Sequence, residues 1–285
     1  AAKAWQPMNS DSTTAFRDKR VLITGHTGFK GSWLTIWLHR LGAKITGYAL
    51  PPTTEPSLFK VARVCELLER HVEADIRDGL RLERVVCDTR PHFVFHLAAQ
   101  PIVGVGYQNP RETFDINVMG TVSLLEAVRC HGVRACSVVV VTSDKCYKVP
   151  SHMSNTSPLG FREDDRLGGE DPYSASKAAA EMVAHAYLKS YFDPLRLRDH
   201  QVRLTTARAG NVVGGGDWSA MRLAPDIVRA AFAGMTLQIR RPESVRPWQH
   251  VVEPLAGYLM LAAGMNTPEH TLDSMTPHGA CWNFG

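Results

Sequence analysis

The chain has 285 residues, with 44% apolar and 21% charged side chains. That is ordinary globular usage and excludes a disordered chain; 22 Gly and 17 Pro without a repeating period exclude a fibrous one. Lys and Arg number 32 against 28 Asp and Glu, a net charge of +4 with no basic run, so neither nucleic acid nor an anionic membrane is expected as a partner. The longest apolar stretch, residues 255–265, is too short to cross a bilayer, and no signal-peptide pattern is present. The six cysteines, at 65, 87, 130, 136, 146 and 281, form no Cys-x-x-Cys pair. Free thiols in a cytoplasmic enzyme are expected, with no metal site and no disulfide scaffold.

Residues 1–19 lack periodicity and read as a loose arm. Residues 21–24 (VLIT) then read as a strand buried on both faces. Residues 32–41 read as a helix, with Trp33 and Trp37, and Leu34 and Leu38, four apart and Gly42 at the C-terminal cap. Strands are expected at 45–50, 72–76, 93–98, 138–143 and 202–207. Helices are expected at 80–86, at 112–130 closed by Gly132, and from Asp171-Pro172 to about 192, with the carboxylate as N-cap and Pro at the first helical position. Alternating strands and helices predict an α/β fold, a doubly wound parallel sheet with helices on both faces. After Gly214 the texture changes, to a helix near 225–233, a short strand near 237–240 and an Arg-Pro-Trp stretch. The expected division is an arm at 1–19, a dinucleotide-binding domain at 20–209, and a smaller C-terminal substrate-binding lobe at 210–285. The loop at 148–170 lies near the substrate.

Gly25, Gly28 and Gly31 fall between the first strand and the first helix at the spacing G-x-x-G-x-x-G. Glycine permits a tight turn and close approach of backbone N–H groups to a pyrophosphate, and the helix N-terminus favours the negative charge. Strand before and helix after are the context the mechanism requires. The end of the second strand reads Ala49-Leu50-Pro51-Pro52, without the carboxylate that binds an adenosine ribose, so NAD and NADP both remain open on this test. Lys30 is a candidate phosphate contact and Asp75 a candidate for the adenine edge.

Tyr173 and Lys177 form Tyr-x-x-x-Lys on one helix face. A neighbouring ammonium lowers a phenol toward neutrality, and a tyrosinate removes a hydroxyl proton as hydride leaves the same carbon. Ser143, Asp144 and Lys145 run off the fifth strand, where ligands bind in such folds. A hydroxyl, an acid and an amine in succession exceed what alcohol oxidation needs. Arg208, Asn211, Arg222, Arg246 and His250 supply polar and cationic groups suited to a diphosphate.

Taken together, TGHTGFKGSWL, HLAAQP, NVMGTVSLLEA, VVVVTSDKCY, DPYSASKAAAE, AGNVVGGGDW and RPWQHVVEPLAGYL, spread over residues 24–259, resemble the extended short-chain dehydrogenase/reductase family. Within it the resemblance is to the CDP-glucose 4,6-dehydratase branch. Lys145 stands where dTDP-glucose dehydratases carry Glu. The resemblance implies a Rossmann fold, NAD as cofactor, a nucleotide-sugar substrate and a homodimer or homotetramer paired through the helices near 112–130 and 173–192. It implies catalytic roles for Ser143, Asp144, Lys145, Tyr173 and Lys177. It implies cofactor contacts from Gly25, His26, Gly28, Phe29, Lys30, Gly31, Asp75 and Ile76, from Leu97, Ala98 and Ala99, and from Tyr173 and Lys177. Substrate contacts are implied for Gln100, Asn211, Arg222, Arg246 and His250. Two departures stand out. Gly104-Val105-Gly106-Tyr107 replaces an Arg and a Ser, and the family pattern continues beyond Gly285, so the lobe is expected to be incomplete. The alternatives are an epimerase on the same fold, which retains the 6-hydroxyl, and a non-catalytic dinucleotide sensor.

Overall fold

The computed structural model describes residues 14–131, 135–149, 160–239, 242–265 and 279–285. Its centre is a seven-stranded sheet: β1 (Arg20–Thr24), β2 (Lys44–Ala49), β3 (Arg70–Glu73), β4 (Phe93–His96), β5 (Cys136–Val141), β6 (Val202–Ala209) and a last strand (Cys281–Phe284). Their order is β3-β2-β1-β4-β5-β6 followed by the Cys281–Phe284 strand, and every neighbouring pair is parallel. Strands covered on both faces carry apolar residues at successive positions, as in the fully buried CSVVVV of β5.

The alternation of side chains sorts the core into two layers. Leu22, Val94, Val138, Val140 and Leu204 face one way, against helices α2 (Gly79–Thr89), α4 (110–130) and α5 (Pro172–Ser190). Val21, Ile23, Phe95, Val139 and Ala207 face the other, against α1 (Phe29–Arg40) and α7 (Val252–Gly264). The doubly wound fold read from the sequence is therefore the observed one. The strand order reverses between β1 and β4, the place where such sheets open a crevice for ligands.

Local chemistry sets the helix ends. Asp78 caps α2 by accepting the Arg81 amide at 3.0 Å, and Asp171 caps α5 through the Ser174 amide at 3.0 Å, with Pro172 first in the helix. Gly42, past the end of α1, takes φ +79°, the left-handed geometry glycine accepts at least cost. A short helix α3 (Val103–Gln108) precedes α4. The helix expected at 112–130 begins at Pro110 and is not uniform: Asp115–Met119 widens into a π turn. There Asn117 turns inward, its amide nitrogen donating to Ser176 Oγ at 2.8 Å. Gly132, expected to close this helix, lies outside the described residues.

Three expectations change. Phe16, assigned to a loose arm, is fully buried with its ring 4.6 Å from that of Phe93, so the described end of the arm is part of the core. No strand covers residues 237–239; Arg240, the end of that expected strand, lies outside the described residues. The division at residue 210 does not follow the layers either, because α7 and the Cys281–Phe284 strand return to the main sheet. What projects from it is α6 (Leu223–Ala233) and a two-stranded parallel pair, β7 (Val212–Val213) with β8 (Gln249–His250); the Cys281–Phe284 strand is β9. All six cysteines are free thiols. Among the described residues, no helix is long and apolar enough to cross a membrane and no His, Cys, Asp and Glu cluster suits a metal ion.

Candidate active site

A cleft of about 2990 Å³ opens along the carboxyl ends of the strands. The glycine loop forms one end. Gly25 has φ +78°, and a Cβ there would lie 2.6 Å from the Ala98 nitrogen. At Gly31 a Cβ would lie 2.1 Å from the Gly25 carbonyl oxygen. These two glycines are dictated by close packing of loop, helix and strand. Gly28 differs: a Cβ would meet only the Gly25 oxygen, at 3.4 Å, and its exposed side lines the cleft. Gly28 is also the N-cap of α1, with no side-chain cap and no acid in the first turn. The first N–H groups of α1 are thus left uncovered at the cleft, an anion-binding arrangement. Phe29, Lys30, Asp75, Ile76, Leu97, Ala98 and Ala99 line the same cleft. These residues fit a dinucleotide, with the diphosphate on the helix end and the adenosine toward β3.

His26 departs from its expected place. Its ring is fully buried behind the loop, bonded through Nε2 to His71 Nδ1 at 2.8 Å. It sits where a Cβ on Gly47 would be, 2.6 Å from the ring. Burial and the neighbouring His71 push its pKa down to about 3, so it is neutral and faces away from the cleft.

Ser143, Asp144, Lys145, Tyr173 and Lys177 line the middle of the cleft. Asp144 and Lys145 lie in a 3-10 turn (Asp144–Cys146) after β5 that Ser143 caps: its Oγ receives the Lys145 amide at 3.3 Å and donates to Asp144 Oδ1 at 3.0 Å. Tyr173 and Lys177 share the face of α5 packed on that turn. Tyr173 differs from the sequence expectation of a lowered phenol. Burial pushes it up to about 12, a hydrogen bond with Ser143 pulls it down, and Asp144 and Arg222 act in opposite senses. Lys177 donates to the Val141 carbonyl at 3.4 Å; burial pulls it down to about 8 against the opposing charge of Glu181. Lys30, drawn down to about 7 by burial, Lys177 and Arg222, lies 3.5 Å from the Tyr258 hydroxyl.

Of the expected substrate residues, Asn211, Arg222 and Arg246 line the far end of the cleft. Arg222 is paired with Asp217 at 3.0 Å. Gln100 is occupied elsewhere: its amide nitrogen donates to Thr113 at 2.9 Å and its oxygen accepts the Ile102 amide at 2.6 Å, so it holds the start of α3. His250 is exposed outside the cleft beside Trp33. Arg208 does not reach out for a diphosphate through a free guanidinium; it is paired with Glu181 at 2.7 Å, with side chains 5% and 3% exposed. Glu181 and Asn117 are residues that sequence reasoning missed. Glu181 was within reach of a spacing argument, since it follows Lys177 by four and continues the Tyr173–Lys177 face; Asn117 carried no such signal. The described part of the expected loop, including Lys148 and 160–166, forms a wall of the cleft, and its residues 150–159 lie outside the described ones.

The sequence model of the family described as GDP-mannose 4,6 dehydratase matches residues 22–262. The chain is 47% identical over 270 residues to the CDP-glucose 4,6-dehydratase of Salmonella typhimurium, covering 95% of this chain and 72% of that relative. A solved structure of dTDP-glucose 4,6-dehydratase from Bacillus anthracis in complex with NAD superposes with a TM-score of 0.71 at 24% identity, over 93% of this chain and 74% of that one. MoeE5 in complex with UDP-glucose and NAD superposes with a TM-score of 0.71 at 26% identity, over 93% of this chain and 75% of the other.

Proposed function

The chain belongs to the GDP-mannose 4,6 dehydratase family, and from that membership we propose that it is a lyase converting CDP-glucose to CDP-4-keto-6-deoxyglucose with NAD as cofactor. The observation that carries the reading is the convergence of Ser143, Asp144 and Lys145 with Tyr173 and Lys177 on the cleft that the glycine loop opens into. A base beside an acid, added to an oxidation pair, is what elimination of water requires.

Bound NAD supplies the oxidant for carbon 4 at the start of the cycle and the reductant for carbon 6 at its end. Gly28, the uncovered end of α1 and Lys30 would hold the cofactor diphosphate. Tyr173 takes the proton of the sugar 4-hydroxyl, whose oxygen Ser143 holds. Burial makes phenolate costly, and the hydrogen bond with Ser143, together with the charge of Arg222, offsets part of that cost. The ketone at carbon 4 acidifies carbon 5. Lys145 removes that proton, Asp144 gives one to the departing 6-hydroxyl, water leaves, and Lys145 returns its proton to carbon 5 when carbon 6 is reduced. Arg222, Asn211 and Arg246 hold the substrate diphosphate. A homodimer or homotetramer paired through α4 and α5, on which Met119 and Met182 are 52% and 64% exposed, and a cytoplasmic location belong to the same proposal.

Lys145→Met tests it. Oxidation at carbon 4 leaves Lys145 idle, whereas elimination depends on it. The variant is expected to accumulate reduced nicotinamide absorbance with CDP-glucose, to form no 6-deoxy product, and to exchange no carbon-5 hydrogen with deuterated water. Product formation near the wild-type rate overturns the role of Lys145. An epimerised product that retains its 6-hydroxyl, made by the wild type, overturns the dehydratase reading.

A further inference from the structure

The turn that presents Ser143, Asp144 and Lys145 is gripped at both ends by the two halves of one buried ion pair. At its leading end, Thr142 Oγ1 donates to Glu181 Oε1. At its trailing end, the Tyr147 hydroxyl accepts from Arg208 Nη1 at 2.7 Å, with the guanidinium 5.1 Å from the ring centroid. Glu181 and Arg208 join each other through Oε2 and Nη2 at 2.7 Å. The remaining bonds extend the clamp. Thr206 Oγ1 donates to Glu181 Oε2 at 2.8 Å, tying in β6. Arg208 Nη1 also donates to the Glu163 carbonyl at 3.0 Å, tying in the wall of the cleft. The Tyr147 hydroxyl donates to Asn283 Oδ1 on β9 at 2.7 Å.

Stability alone is a weak reason to bury such a pair. Desolvating two charges costs about as much as their attraction returns, and apolar replacements of similar size are often no less stable. What the pair does supply is direction: the side chains of Thr142 and Tyr147, on either side of the turn, are both held by it. It also supplies charge. Lys177 lies one turn from Glu181 and is faced by Glu181 and Cys146, which favour its charged form, and by Lys30 and His96, which share its surroundings.

We propose that Glu181 and Arg208 are the positioning residues of the dehydratase site, holding the Ser143–Lys145 turn in register with α5 and fixing a carboxylate one turn from Lys177. The proposal rests on the dehydratase reading above for its kinetic part and stands on its own for Lys177.

Glu181→Gln removes the charge and keeps the shape and one acceptor. Two readouts are made: the titration of Lys177, followed by NMR in protein labelled with carbon-13 at lysine Cε and assigned by the signal lost in Lys177→Met, and kcat and KM for CDP-glucose across pH. Lys177 is expected to titrate about one pH unit lower, the size of an opposite charge removed from nearby. The alkaline limb of kcat is expected to move down with it, while kcat falls at least about tenfold and KM stays within about threefold. A residue needed only for folding lowers the melting temperature and moves neither the limb nor the lysine. If Glu181→Gln does not fold, the double variant Glu181→Gln/Arg208→Met, which leaves no buried charge unpaired, is expected to fold and to retain the loss of kcat, since both ends of the turn are released. An unmoved Lys177 titration, or a double variant with kcat within about twofold of wild type, overturns the proposal. A shifted lysine in a protein whose wild type does not turn over CDP-glucose supports the pair and sinks the substrate reading instead.

Discussion

Two glycines three residues apart are expected to fail in opposite ways. In Gly31→Ala the new methyl would lie 2.1 Å from the Gly25 oxygen and 2.7 Å from the His26 Cα, both backbone atoms. Carbon needs roughly 3.5 Å, so the loop and α1 must separate by more than about 1 Å. Such overpacking costs about 1–3 kcal/mol, and the helix preference of Ala over Gly returns at most about 1 kcal/mol. A net loss of about 1–2 kcal/mol is expected, read as a lower urea midpoint at unchanged m-value. In Gly28→Val the backbone, at φ −77° and ψ 171°, suits a β-branched residue, and the nearest atom stands at 3.4 Å. Stability is expected to change by no more than about 0.5 kcal/mol. The side chain nevertheless occupies the open side of the helix end, so NAD affinity by calorimetry is expected to fall at least about 100-fold, or about 2.7 kcal/mol. A folded Gly28→Val protein that binds NAD as the wild type does would refute the placement of the diphosphate. Gly31→Ala with wild-type stability would refute the packing argument.

Tyr173→Phe removes the proton acceptor and keeps the ring; turnover is expected to fall at least about 100-fold while CDP-glucose affinity is kept, and turnover within a few-fold of wild type would assign the first proton to another group. Arg246→Ala is expected to weaken CDP binding by about 1.5–3 kcal/mol and to leave the chemical step less affected, so unchanged affinity for free CDP would place Arg246 outside the diphosphate site. His96, bonded to Thr24 at 2.7 Å and to Thr121 at 3.2 Å, is pushed down to about 3 by burial and Lys177. The unfolded chain therefore binds a proton below pH 6.5 that the folded chain refuses until about 3, and stability falls with pH across that window. His96→Gln is expected to remove on the order of 3 kcal/mol of the loss between pH 7 and pH 4, measured by urea unfolding at both values; an unchanged acid limb would show that His96 is solvated or charged in the folded protein.

Features whose causes are local can be read directly from the order of residues. The strands at 21–24 and 138–143 were legible as unbroken apolar runs, the start of α5 from Asp171-Pro172, and the end of α1 from Gly42. The glycine spacing announced a tight turn and a free helix end because both lie within seven residues. Tyr173 and Lys177 were legible because the helix period sets their shared face. What depends on neighbours distant in sequence emerges from the packing. His26 sits in the middle of the loop motif yet turns inward, because Gly47 on β2 leaves a hole of ring size that His71 then bonds across. Phe16 looks like an arm until Phe93 is beside it. Arg208 looks like a diphosphate ligand until α5 brings Glu181 within 2.7 Å of it. The phenol of Tyr173 cannot be ranked from an adjacent lysine alone, because burial by elements far apart in the chain pushes it up. A side chain's direction and solvation are set by the packing around it, and that packing exists only once the chain has closed.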